Sequence, residues 1–589
     1  MHRTMKKILL LLAFISISAL VYGSPIGEQR AREIAKSFFM QNATRSSSTD
    51  VALAWAGDDI EAGVAATDVD LAMLYIYEPT DAKGFVVIAG DDTVAPIVAY
   101  SFENSIDVNN MAEATRAILA AWGKQVSASR RVAKPVTRAD DAAIGSVVKK
   151  YVTAQWGQNA PFNGEAPVYS GSQSVTGCVA TAMAIIARYH RYPEKGVGTI
   201  PSYSYTLNGS TKTIAANTLG RTYDYDNMPL SYNEGYTSAQ GSAVAALMYD
   251  MGTAVQMQYS PAESGSFHTA IPQALSKYFG YSKATMSVSR GDYTDKEWNA
   301  VLKENLDKYG PTIFRGSSDA GGHAFIIDGY TSKYYFSVNF GWDGLGNGYF
   351  KLPDIEFYKE QAAICYLEPD PAGTTVYRGD LQLIALGSYD AYGNFVPIYK
   401  GIISSATEYS NGTTFTCKIG GIRNTGYENF TGKVALVLCD KSGSVKQELY
   451  TKTVTIKPNY NEYATPSVTI NTDVANGDRL RIYYMADGAT EWSWARTSDD
   501  TCVSEIVIKS SAADIAEKLN LKYSNVTKTL TLGAPIALNY TITSGIMQVA
   551  SGSIEAHSSV GVDMSEYNAG SYTLSLTSGG ESYNLVIRL

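Results

Sequence analysis

Three residues of this chain have the types and the order that thiol chemistry needs: Cys178, His323 and Asn339. A thiolate attacks a carbonyl carbon. An imidazole takes the thiol proton and later hands it to a leaving amine. An asparagine carbonyl can hold the ring in the orientation both steps require. Cys178 stands in "TGCVATAMAIIARYH", after a threonine and a glycine and before an almost unbroken apolar run. Taken alone it reads as a buried structural thiol, which is the commoner case. Two features favour chemistry. A helix that starts here brings unpaired N–H groups and the positive end of its dipole to the sulfur, and both stabilise thiolate. Gly177, just before it, lets another backbone approach closely.

The chain has five histidines. His2 lies in the N-terminal leader and His557 in the last β-rich segment. His190 is on the Cys178 helix, roughly 18 Å along it at 1.5 Å rise per residue, and cannot reach the sulfur. His268, in "ESGSFHT", reads as a solvated loop residue. His323 follows Gly321-Gly322 in "DAGGHAFIIDGY", at the start of an apolar strand. A junction of this kind exposes a side chain on a rigid support. Asn339 and Trp342 follow in "SVNFGWDGLGNGYFKL", where an aromatic ring can shield a His–Asn hydrogen bond from water. The order Cys, His, Asn, with about 145 residues between the first two, matches papain-like spacing. A tetrahedral oxyanion also needs donors. The Cys178 backbone N–H is one, and "AQWGQNAPFN" offers the side-chain amides of Gln155 and Gln158 as a second.

These residues need a scaffold, and the 589-residue chain is long enough for three or four domains. It begins with Arg3, Lys6 and Lys7 and an apolar stretch from Ile8 to about Val21, the pattern of a secretory signal peptide over residues 1–23. That stretch is short for a spanning helix, and no later segment is long and apolar enough to cross a membrane. Residues 24–138 read as a small α+β unit. It has a helix in "IGEQRAREIAKSFFMQ", two strands in "LAMLYIYEPTDAKGFVVIAGDD", a second helix in "MAEATRAILAAWGKQVSASRR", and an exposed polar linker with Pro135. Residues 139–372 place helices first and strands later: "PTIFRGS", "HAFIIDGYTS", "YYFSVNFGW", "GYFKL" and "AAICYLEP". That order implies an α+β fold with a cleft between two halves. Residues 376–510 alternate apolar and polar positions between Gly and Asn turns, as an immunoglobulin-like β-sandwich does. Residues 512–589 read as a last β unit ending in a hairpin at Gly579-Gly580. A net charge of −9 argues against a nucleic-acid partner. No C-x-x-C pair occurs among the five cysteines, so neither a structural zinc site nor a cofactor is implied. An odd cysteine count leaves at least one thiol without an intrachain partner, and pairing among Cys365, Cys417, Cys439 and Cys502 is not readable from sequence.

The segments "TGCVATAMAIIARYHRYP", "VSRGDYTDKEWNAVL", "AGGHAFIIDGY" and "VNFGWDG" resemble the streptopain-like secreted cysteine peptidases, and the resemblance runs over roughly residues 24–370. "GFVVIAGDDTVAPIVAYS" resembles that family's inhibitory pro-domain. The resemblance implies a papain-like fold made as a zymogen, with Cys178 as nucleophile, His323 as acid and base, and Gln158 as oxyanion donor. It matches Gly322 and the Ser264–Ser266 stretch, with Ser266, to the substrate groove. It implies cleavage of proteins with a bulky apolar side chain two residues before the cut, through a thioester acyl-enzyme. Phe340 stands where the family's type member has tryptophan, which leaves the shielding role between Phe340 and Trp342. The ending "GSYTLSL…YNLVIRL" resembles a type IX secretion sorting domain, which implies that secretion machinery as a partner and a secreted or surface location. Two rival readings use the same residues: a cell-wall amidase with the same Cys-His pair, and a surface adhesin whose catalytic unit is silent.

Overall fold

The structure is a computed structural model. It describes residues 25–42, 50–131, 143–318, 321–354 and 358–497, and then 499, 502–508, 519–534, 537–545, 547–556, 558–567, 570–578 and 581–588. The leader, most of the Pro135 linker, His557 and the Gly579-Gly580 turn lie outside the described residues. The chain divides into two compact units, 1–375 and 376–589.

In the first unit, helix α1 (Gly27–Gln41) buries Ala31, Ile34, Ala35, Phe38 and Phe39, while Ile26, which periodicity adds to that stripe, precedes the helix and is only partly buried. It covers one face of a meander formed by β1 (Val51–Asp59), β2 (Val64–Ala65), β3 (Leu74–Pro79), β4 (Phe85–Ala89) and β5 (Ile97–Ser101). Helix α2 (Glu113–Ser129) covers the other face. It ends at Ser129, within the segment expected to be helical.

Strand β6 (Val147–Lys150) opens the part that carries Cys178. Helices α3 (Cys178–His190), α4 (Ser238–Ala254), α5 (Ile271–Phe279) and α6 (Asp295–Tyr309) follow, interleaved with strands. Local chemistry sets two of these starts. Thr237 with Gln240 caps α4, and Thr294 with Glu297 caps α6, each pair satisfying backbone N–H groups the helix leaves open. Six further strands complete the sheet, the first five being β7 (Met286–Ser289), β8 (Thr312–Ser318), β9 (Gly321–Thr331), β10 (Phe336–Asn339) and β11 (Gly348–Phe350). The last, β12 (Lys359–Cys365), returns between β7 and β8.

All twelve strands belong to one sheet, in the order β7-β12-β8-β9-β10-β11-β5-β4-β3-β1-β2, with β6 pairing β9. The seam is β11 against β5, where Tyr349 faces Tyr100 and Phe350 faces Ala99. The N-terminal meander therefore continues the sheet that carries His323. Two cores lie on opposite faces of that sheet. One joins α3, α4 and α5 to Ile313, Ala324, Ile326 and Ile364. The other joins α2 and α6 to Phe314, Phe325, Ile327, Val338, Phe340 and Ala363. This is the α+β, two-lobed papain-like architecture expected, with a small α+β domain attached at the sheet edge.

Among the described residues, the second unit is all strands and turns. Strand Thr414–Asn424 pairs with Leu381–Leu383, Ile402–Ser404, Asn461–Ala464 and Ser467–Thr469. A second sheet is built on Phe430–Cys439 between Val445–Ile456 and Arg479–Ala486. The two sheets enclose a common core that includes Leu381, Cys417, Leu436, Leu438 and Ile482. A later pair of smaller sheets encloses Leu532, Tyr540, Ile542, Leu574 and Leu576, and its last hairpin joins Ser571–Ser578 to Glu581–Arg588. All five cysteines are free thiols.

The seam can be broken at one residue. A Cβ at Gly348 would fall 2.5 Å from the Tyr100 carbonyl oxygen, inside van der Waals contact with backbone that cannot yield. Gly348→Val is expected to loosen the N-terminal domain and to speed its removal in limited proteolysis by several-fold. Removal at the wild-type rate would show that the seam does not hold the domain.

Candidate active site

Cys178 is the first residue of α3, and Gly177 caps it with φ of +84°. A side chain at Gly177 would meet the Met257 sulfur at 2.6 Å and the Ser264 carbonyl oxygen at 2.9 Å. Only glycine fits both that dihedral and that space. Cys178 opens into a cleft of about 190 Å³ that Gln158, Ser266, Gly322, His323 and Trp342 also line. Gln155 does not line it; its backbone N–H donates to the Leu230 carbonyl, and its side chain lies against Gly344. Every cleft residue expected from sequence is therefore at the cleft except Asn339.

The parts are near one another but not joined. No hydrogen bond links Cys178 and His323. The reason lies in strand β9, whose register with β8 is regular from Thr312↔Ile327 to Ser318↔Gly321. Successive side chains of such a strand point to opposite faces. Ala324 and Ile326 face the core of α3, whereas Phe325 and Ile327 face the core of α2. His323 shares the α2 face. There its Nε2 lies 3.5 Å from Glu113 Oε1, at the start of α2, and has no hydrogen-bond partner.

Asn339 departs from expectation. It sits opposite Ile326 on β10, so it shares the face of Ile326 and not that of His323. Its Nδ2 donates to Thr153 Oγ1 at 3.0 Å and to the Ala154 carbonyl at 2.8 Å. Its Oδ1 accepts from Gly341 N–H and from Asn347 Nδ2. Asn347 Oδ1 in turn accepts from Phe340 N–H. The two asparagines clamp the loop that carries Phe340 and Trp342, and neither touches the imidazole. Both aromatic residues reach the cleft, with Phe340 buried against Phe325 and Phe350.

The electrostatics follow this arrangement. Burial pushes the Cys178 thiol up, with the Glu113 carboxyl adding to the shift and the N–H groups of Ala324, Val179 and Cys178 opposing it. The helix terminus alone does not yield a thiolate here. Burial pushes His323 down to about 4, with Glu61 opposing and Arg315 adding. Glu113 is pushed up to about 7, first by burial and then by the Glu263 and Glu61 carboxylates.

Sequence reading missed three residues at the cleft. Glu113 carries no local signal, because only the topology delivers it. His268 is not a solvated loop residue: its Nδ1 lies 3.1 Å from Arg315 Nη1, and burial pushes its imidazole down to about 4. Arg315 itself did carry a signal, a lone cation inside the apolar strand "PTIFRGS".

The family models that match lie within the first unit. A family model described as Peptidase C10 family matches residues 156–350, and one described as Spi protease inhibitor matches residues 23–126. Streptopain of Streptococcus pyogenes serotype M1 is 28% identical over 374 residues, 58% of this chain and 90% of that protein. The thiol protease/hemagglutinin PrtT of Porphyromonas gingivalis is 29% identical over 348 residues, 56% of this chain and 39% of that protein. Among solved structures, the active interpain A cysteine protease of Prevotella intermedia is 34% identical, over 38% of this chain and 95% of that one, with a TM-score of 0.35. A prointerpain A fragment from the same organism is 29% identical, over 51% of this chain and 96% of that one, with a TM-score of 0.43.

The two shifted groups pull in opposite directions. A histidine held neutral favours the docked N-terminal domain above its ordinary 6.5, and that contribution is lost as the pH falls toward 4. A carboxyl pushed up favours docking below its ordinary 4.5, and that contribution is lost as the pH rises through about 7. Between about 4.5 and 6.5 the slopes offset each other, and docking is expected to be nearly level. NMR titration of Cys178→Ala precursor should place the His323 imidazole near 4, and removal of the N-terminal domain should raise it. A value near 6.5 in the precursor would contradict the arrangement.

Proposed function

The chain belongs to the Peptidase C10 family, and from that premise we propose that it is a secreted endopeptidase made as a zymogen, with Cys178 as its nucleophile. That it is a cysteine peptidase with an inhibitor-like domain ahead of the catalytic one follows from the family and its relatives. The finer reading rests on one observation. Cys178, at the N-terminus of α3, shares a cleft with His323, and the start of α2 fills the space between that histidine and solvent.

In this reading, residues 24–138 are the inhibitory pro-domain and 139–372 the peptidase. Release of α2 frees His323 to turn to the Cys178 face. Its ring then takes the thiol proton, and the thiolate attacks the scissile carbonyl carbon. The carbonyl π electrons move to oxygen, where the Cys178 N–H and the Gln158 side-chain amide donate hydrogen bonds. Collapse of this intermediate breaks the C–N bond, and His323 protonates the leaving amine. A thioester remains, and water attacks it with His323 as base, returning the acid product and the thiol. Asn339 holds the Phe340–Trp342 loop in place. Gly322 and Ser266 border the groove for the substrate chain, where Phe267 and Ala324 supply apolar surface for a bulky residue two before the cut. The maturation cut falls in the stretch from about Ser127 to Ser146, at a bond past the end of α2 at Ser129. The C-terminal unit, over residues 512–589, serves the type IX secretion machinery, and residues 376–510 form the spacer before it.

Cys178→Ala and His323→Ala are each expected to abolish hydrolysis of casein by processed enzyme, and the double variant to be no worse than either alone, because the pair acts as a unit. Asn339→Ala is expected to lower the rate less. Digestion of peptidoglycan but not of casein would replace the endopeptidase with the amidase. Full turnover by Cys178→Ala would remove the nucleophile assignment.

A further inference from the structure

The wall of the cleft beside Gly322 is charged. Arg315 pairs across strands with Ala324 and Ala362, so it shares their face, toward α3 and Cys178. It is the single lysine or arginine among the described residues that line the cleft. Its Nη2 donates to Glu360 Oε2 at 2.6 Å, and its Nη1 lies 3.1 Å from His268 Nδ1. Because burial keeps His268 neutral, that nitrogen can act as acceptor. A guanidinium has five N–H donors in a fixed fork, and only two are used here. A Cβ built on Gly322 would stand 3.4 Å from Nη2, so a chain lying along Gly322 brings a side chain directly onto the fork.

The two ends of the fork differ in solvation. The Arg315 side chain is 18% exposed and that of Glu360 is 65% exposed. Glu360 also holds φ of +50°, which a non-glycine residue adopts at some cost. The cation is therefore fixed by the strand, and its carboxylate partner sits at the rim, where a competing carboxylate can displace it. Phe267, 76% exposed beside His268, offers an apolar surface next to the charge. None of these residues belongs to the N-terminal domain, and Arg315, His268 and Glu360 lie off β9, so the contacts among the three do not depend on α2.

We propose that Arg315 determines specificity, taking substrates whose side chain against Gly322 has an apolar stem and a carboxylate tip, with Glu360 as the built-in competitor. This rests on the peptidase reading and deepens its apolar preference: the stem packs on Phe267 while the tip meets the guanidinium. A lysine or arginine there faces a fixed like charge and is disfavoured.

Processed enzyme tests this with three internally quenched peptides that differ only two residues before the cut, carrying Glu, its isostere Gln, or Lys. Wild type is expected to cleave the Glu peptide at least as fast as the Gln peptide, and at least tenfold faster than the Lys peptide. Arg315→Gln should lower the Glu-to-Gln ratio of kcat/KM at least tenfold, and Glu360→Gln should raise it. Glu360→Gln also serves if the arginine variant does not fold, because its substitution is at an exposed side chain. Unchanged ratios in the variants, with the wild type cleaving all three, would overturn the specificity role alone. Failure of wild type to cleave any of the three peptides while it still digests casein would also overturn the specificity role, whereas failure on casein as well would overturn the peptidase reading beneath it.

Discussion

A regular β-strand cannot put two adjacent side chains on the same face, and much of this site's state depends on that rule. Strand β9 runs between the two cores of the first unit, with Ala324 and Ile326 on the α3 side and Phe325 and Ile327 on the α2 side. His323 is next to Ala324, so while β9 remains paired with β8 through Gly321 it faces α2. The sulfur of Cys178 meets the Ala324 backbone instead. A site with the right residues is thereby held without its central hydrogen bond. The buried thiol stays protonated and the buried imidazole neutral, the less reactive form of each.

The α2 face of β9 is covered by that helix. Helix α2 buries Ile118, Leu119 and Trp122 in the core that also contains Phe325, Val338 and Phe340, and Trp122 donates to the Lys351 carbonyl at 3.0 Å. Full burial of one such apolar side chain is worth about 1.5–3 kcal/mol, so the helix is a substantial share of that core. The seam between β5 and β11 adds backbone hydrogen bonds, and Asn104 Nδ2 donates to the Asn347 carbonyl at 3.1 Å, on the aromatic loop. The N-terminal domain thus grips the histidine strand, the sheet edge and the loop of Phe340 and Trp342 together.

Much of this was legible in the sequence where the physics is local. The helix in "IGEQRAREIAKSFFMQ" and the strands around His323 have short-range signatures and fall where periodicity puts them, and the capping pairs Thr237–Gln240 and Thr294–Glu297 are local in the same sense. The resemblance to streptopain-like peptidases brought Gln158 to the cleft in preference to Gln155, and the cleft contains it. Non-local features were hidden. Backbone pairing of Phe350 with Ala99 leaves no mark in side-chain pattern, so the continuous sheet could not be read. Asn339 was expected beside the imidazole because order and spacing match papain-like chains. Its face is set by register with Ile326, which spacing does not encode. Glu113 comes to His323 only because α2 crosses the sheet.

In the proposed reading, the N-terminal domain keeps Cys178 and His323 apart and the thiol unreactive. The most direct measurement is the rate at which a thiol-directed epoxide labels Cys178, read by mass spectrometry, in intact precursor and in processed enzyme at the same pH. Rapid labelling is expected after processing and labelling at least a hundredfold slower in the precursor, with the remaining cysteines unlabelled in both. Equal rates in the two forms would mean that the thiolate–imidazole pair already exists beneath the N-terminal domain, and would contradict it.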